Sequence, residues 1–110
     1  MSATSTQSMQ PADSANIAVG RYITTGTAAA IAITTGFKPR FVQVVNLAAT
    51  GDMHQWYEGM ADASARKQVT AGDMTLITTL GITVSASGFT IGLDTDLNVT
   101  SEQLSWIAIG

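Results

Sequence analysis

Residues 40–47 read RFVQVVNL, and this stretch decides the fold. In an extended chain, successive side chains point to opposite faces. One face then carries Phe41, Gln43, Val45 and Leu47, and the other Val42, Val44 and Asn46. Both faces are mainly apolar, so this strand is predicted to be central in its sheet.

Outward from it, the same rhythm continues after Asn16: IAVGRYI, AAAIAI, MHQWYE, KQVTA, MTLITTL, ITVSA, FTIGL and LSWIAIG, separated by glycine-containing breaks. Short apolar runs between turns are the signature of an all-β chain. The alanine-rich 25–36 stretch, TGTAAAIAITTG, is the one rival for helix. It is short, rich in β-branched residues and alternates Ala30, Ile31, Ala32, Ile33, so it is predicted to be extended. AGDMTLITTLG could hold a helical turn, but its threonines and isoleucine also favour strand. The last run places Leu104, Trp106 and Ala108 on one face and Ser105, Ile107 and Ile109 on the other, which pins the carboxyl terminus in the sheet.

A chain of 110 residues makes one domain with one core. The predicted architecture is a single antiparallel β-sandwich over 17–110, jelly-roll-like or Greek-key, preceded by a flexible arm over 1–16 that lacks any apolar period. Charged residues are only 12%, about half the usual share, as in proteins that hide much of their surface in an assembly. The net charge of −3 leaves no cationic patch for nucleic acid. The chain has no cysteine, which removes disulfides, thiolate metal sites and cysteine nucleophiles. Its longest apolar stretch, AAAIAI, is far short of a bilayer span, and the amino terminus lacks the pattern of an export signal, so neither membrane nor secretion is expected.

Two stretches could carry chemistry. Asp94, Asp96 and Asn98 have the spacing that begins a calcium loop, but the sixth and twelfth positions, which need glycine and glutamate, hold Val99 and Ser105. The run is therefore predicted to be a turn. In DMHQWYEGM (52–60), alternation sets Asp52, His54, Trp56 and Glu58 on one face and Met53, Gln55 and Tyr57 on the other. Side chains two apart on one strand project in parallel and do not by themselves converge on a metal. Asp52 and Glu58 would stand about 20 Å apart on an extended chain, too far for paired-carboxylate hydrolysis. No G-x-S-x-G elbow marks a serine nucleophile. The expectation is a non-enzymatic protein with no cofactor, in which one face of this strand packs and the other meets a partner. Either Trp56 or Tyr57 packs, while His54 and the acids face solvent or a neighbouring subunit. Pro39 marks the opening of the strand after Lys38, and Arg66 and Lys67 are expected as a solvated pair at a sheet edge. The candidate partner contacts are His54, Trp56, Tyr57, Lys38, Arg40, Arg66 and Lys67.

The ordered motifs GFKPRFVQVVNL, Trp56 with EGM, LITTLGIT, GFTIGLDTDLN and LSWIAIG resemble a group of small tailed-bacteriophage structural proteins. The resemblance runs from Gly36 to Gly110. It implies a virion component assembled in the host cytoplasm: a decoration or cement protein on the capsid surface, bound to the major capsid protein, or a head-fibre or tail-associated piece that recognises a host glycan or surface. It implies no catalytic residues. A homo-oligomer matching a three-fold lattice position, hence a trimer, is the natural expectation, with avidity across repeated sites supplying strength.

Overall fold

The computed structural model describes residues 16–48, 51–69 and 72–110. The predicted arm lies outside the described residues except for Asn16. The described residues form eight strands and no helix: β1 (Ile17–Ile23), β2 (Ile31–Thr34), β3 (Phe41–Asn46), β4 (Met53–Tyr57), β5 (Ser64–Gln68), β6 (Met74–Ser85), β7 (Gly88–Ile91) and β8 (Gln103–Ile109).

The fold is all-β and antiparallel throughout, as the alternation predicts. One continuous sheet in the order β1-β8-β3-β4-β5-β6-β7-β2 curls into a half-barrel, so that its two ends face each other like the layers of a sandwich. The meander β3 to β7 is closed by a Greek-key type of return, in which β8 comes back beside β3. β3 is therefore central, with β8 on one side and β4 on the other. Val42 and Val44 are fully buried on its inner face, and Phe41, Gln43 and Val45 are half-buried on its outer one.

The core lies inside the curl. Val42, Val44, Trp56, Leu104 and Ala108 come from one end of the sheet, and Ile31, Ile82, Phe89 and Ile91 from the other. Phe89 meets Trp106 edge-on, ring centroids 5.3 Å apart at 75°, which ties β7 to β8 across the interior. Gly20 makes room for this contact: a Cβ there would stand 2.5 Å from Trp106 Cζ2.

Two runs expected to be separate, MTLITTL and ITVSA, form the single long strand β6, which is irregular where they meet. Leu80 adopts φ +61°, and the β5 register jumps from Ala65↔Ile77 to Ser64↔Ile82. Gly81 permits the approach, since a Cβ would come 2.5 Å from the Ser64 carbonyl group. The first half of β6 leaves Leu76 exposed, while Ile82 in the second half is in the core. Between Gly26 and Gly36 the strand is confined to Ile31–Thr34, with no regular structure over 27–30.

The connection from β7 to β8 plugs one end of the half-barrel. Leu97 is fully buried, and Asn46 Nδ2 donates to its carbonyl at 2.8 Å and to Glu102 Oε1 at 2.8 Å. Asn98 Nδ2 donates to the Ala29 carbonyl at 2.8 Å, and Thr24 Oγ1 donates to Asn98 Oδ1 at 3.3 Å.

Candidate interaction face

The outer side of β1, β8, β3 and β4 is a broad apolar surface built in rows by strand register. One row runs Ile17, Ile109, Phe41, Tyr57; the next Val19, Ile107, Gln43, Gln55; the third Arg21, Ser105, Val45, Met53. Val19 is 70% exposed, Ile17 59% and Tyr57 45%, with Leu47, Ile23 and Ile109 also open. Scattered apolar residues are ordinary on a protein surface, but a field of them on one sheet face, here interrupted by Gln43, Gln55, Arg21 and Ser105, is a candidate contact surface. Phe41 and Tyr57 pack with ring centroids 5.2 Å apart. They border a hollow of about 320 Å³ shared with Arg40, Glu58 and Ile109. Arg40 Nε donates to Glu58 Oε2 at 3.2 Å and Nη2 to Oε1 at 3.4 Å, so the rim of the hollow is nearly neutral. Gln55 Nε2 donates to Gln43 Oε1 at 2.9 Å, and Gln55 Oε1 accepts from Arg66 Nη1 at 3.1 Å.

The seven anticipated contact residues divide. Tyr57, Arg40 and Arg66 do share this outer face. Lys38 is exposed but lies apart, on the loop before β3. Trp56 is 5% exposed on the inner face, its Nε1 donating to the Ala61 carbonyl at 3.3 Å. His54, expected to meet solvent or a neighbour, is fully buried. The reason is register: His54 lies opposite Val44, whose side of β3 is the core side. Lys67 is no solvated edge residue either, because β5 sits between β4 and β6, and register places Lys67 opposite His54 on the inner side.

Those two inward residues meet the turn after β7. His54 Nε2 lies 3.2 Å from Asp94 Oδ2, and Lys67 Nζ lies 2.9 Å from Asp94 Oδ2 and 2.7 Å from Asp96 Oδ2. Asp94 Oδ1 also accepts the Asp96 backbone N–H at 2.8 Å. The calcium-like run is thus a turn, as expected, and the cation it embraces is a lysine ammonium. Burial holds the His54 imidazole below its ordinary pKa despite Asp94, so it is neutral at pH 7 and donates Nε2–H to the carboxylate. Burial acts against the charge on Asp94, but the Lys67 bond and the Asp96 N–H outweigh it and hold the carboxyl below the usual range. Burial likewise acts against the Lys67 ammonium, and its bonds to Asp96 and Asp94 overcome this and raise its pKa. Among the described residues, no group of three or more His, Cys, Asp or Glu side chains is placed to hold a metal ion. No described helix is long and apolar enough to cross a membrane.

Residue reading alone did not single out Ile17, Val19, Phe41, Leu47 and Ile109 as members of the face. Their signal was present as alternation in IAVGRYI, RFVQVVNL and LSWIAIG, but alternation does not say which side is covered. No known family model, curated protein or solved structure matches the chain.

Proposed function

We propose that this chain is a non-enzymatic structural protein of a tailed-phage virion, binding the outside of the capsid as a decoration or cement protein. The observation that carries the reading is the apolar outer face of β1, β8, β3 and β4, with Val19 and Ile17 more than half exposed. A surface of this kind is suited to broad docking against the major capsid protein, in keeping with the motif resemblance over Gly36–Gly110. The low charge of the chain fits repeated packing of copies on a lattice, where a trimer at a three-fold position gains from avidity.

A second reading, a fibre or tail piece that recognises a host glycan, draws on the Phe41–Tyr57 pair beside the Arg40–Glu58 bridge, an aromatic platform with polar groups at its rim. Adding the protein to undecorated particles decides between them. A cement protein raises the particle melting temperature and reaches copy numbers comparable with the coat protein by quantitative mass spectrometry. Unchanged melting and a few copies per virion would favour the recognition reading, and a glycan screen would then test it.

A further inference from the structure

We infer that the β1 edge is a self-pairing edge, which joins two copies of this chain in an antiparallel β1–β1 contact about a two-fold axis at Gly20. The inference does not depend on the virion reading.

The edge is open among the described residues, since β1 is the end strand of the sheet and pairs only with β8. Its hydrogen-bonding phase can be read from its ends. The Gly110 N–H donates to the Asn16 carbonyl at 2.8 Å and the Ser101 N–H to the Thr24 carbonyl at 2.7 Å, so the even-numbered residues face β8. Bonds in an antiparallel pair fall on alternate residues. The N–H and C=O groups of Ile17, Val19, Arg21 and Ile23 therefore point away from the sheet, where water can bond them singly and another extended strand can pair them as a set.

Within β1 itself the usual sequence protections of an edge are missing. β1 has seven residues, no proline and a single charge, Arg21, which sits on the outer face instead of blocking the edge. The opposite edge, β2, has only four residues. Three of the four β1 residues with outward backbone groups, Ile17, Val19 and Ile23, also carry exposed apolar side chains.

What identifies the partner as a second copy is the symmetry of the strand. Gly20 is its middle residue. An antiparallel match centred there pairs Ile17 with the partner's Ile23 and Val19 with the partner's Arg21, and the same in reverse. Because Gly20 bonds towards β8, it falls at a non-hydrogen-bonded position of the new pair, where backbones approach most closely and glycine fits best. The four outward residues then fall at the hydrogen-bonded positions, so every outward donor and acceptor is used. Centring on a neighbouring residue leaves part of the set unpaired. Arg21 lays its aliphatic stem along Val19 of the other copy. The chain's own residues 1–15 suit the edge less well, because Met1 and Met9 are their only large apolar side chains and Pro11 interrupts them. The contact also abuts two outer faces, making one apolar surface from two. It is distinct from three-fold packing, and a lattice with three-fold positions also supplies two-folds between them.

The full chain in analytical ultracentrifugation is expected to show a species of twice the 11.4 kDa chain mass. Val19→Pro removes an outward N–H without touching the β8 ladder, and Val19→Lys sets a charge beside the partner's Arg21. Each is expected to weaken the dimer about tenfold or more, with circular dichroism of the monomer unchanged. Because the chain has no cysteine, register can be read directly. Mixing a Val19→Cys chain with an Arg21→Cys chain is expected to give a disulfide-linked heterodimer faster than either chain links to itself. A monomer at all concentrations without cross-linking overturns the inference and leaves the edge to the chain's first fifteen residues or to a coat-protein strand. So does an oligomer that both Val19 variants leave intact.

Discussion

His54 Nε2 lies 3.2 Å from Asp94 Oδ2, and the same carboxylate oxygen receives the Lys67 ammonium at 2.9 Å. Three residues from β4, β5 and the β7–β8 connection thus share one carboxylate at the end of the core. The cluster locks the plug formed by that connection against two adjacent strands, and its chemistry is that of a folded-state brace. The imidazole is neutral, so one cation faces two carboxylates, of which Asp96 is largely solvated, and among the described residues the buried His54 Nδ1 finds no hydrogen-bond partner.

Acid is therefore expected to loosen the protein in two stages. His54 has a lowered pKa in the fold, so the unfolded chain takes up a proton first as pH falls below 6.5, and stability declines from there toward the folded value. Asp94 is also lowered, so its contribution is present above 3.8 and lost as pH falls through its folded pKa. Denaturant unfolding at pH 7.5, 6 and 5 is expected to show decreasing stability, and His54→Gln, which can still donate to Asp94, flattens the first stage. An equal slope in both proteins would refute the assignment.

Lys67→Met removes the only cation from the cluster and leaves Asp94, which is nearly buried, facing Asp96 across the turn. The cost is expected to be about 2–3 kcal/mol, below the ~3–5 kcal/mol of a fully buried pair because Asp96 is solvated and Lys67 is partly so. A urea midpoint shift at pH 7 measures it. At alkaline pH the variant loses less than the parent, because the raised Lys67 pKa makes its contribution present below 10.5 and lost as pH rises through the folded value.

Trp56→Ala is expected to destabilise the fold by about 3–5 kcal/mol through the cavity it leaves among Val42 and its neighbours. Thermal melting would read this as a large drop in midpoint. An unaltered melt with lost ligand binding would mean that Trp56 is a surface contact after all.

Gly20→Val forces a branched side chain into the Trp106 indole, which lies 2.5 Å from the position of a Cβ. Overpacking of this kind costs about 1–3 kcal/mol. The shift should appear in chemical denaturation together with a change in Trp106 fluorescence.

Leu47→Glu alters an exposed side chain of the outer face and is expected to leave stability within about 0.5 kcal/mol, whereas Tyr57→Ala also gives up the ring contact with Phe41 and costs about 0.5–1.5 kcal/mol. Attachment to undecorated particles should nevertheless fall about tenfold when both are changed, the scale of a lost interface anchor. Undiminished particle binding would take the face out of the proposed function.

What the sequence determined by itself was local. A period of two in RFVQVVNL and LSWIAIG reports extended chain and sorts residues into two sets, because the side chains of a strand alternate whatever surrounds them. The same logic separated Asp52, His54 and Trp56 from Met53, Gln55 and Tyr57, and the failed calcium pattern after Asp94 was legible from position alone. Which set is buried is a property of the neighbours. His54 and Lys67 have no local reason to be inside. They are there because register puts them opposite Val44 and each other, and because Asp94, forty positions from His54, arrives to share their charge. The long β6, too, continues past Leu80 because Gly81 can lie against the Ser64 carbonyl group across a register jump that no local pattern encodes. Only the tertiary structure could decide which face of the sheet is left open, since exposure is fixed by what a curled sheet folds around.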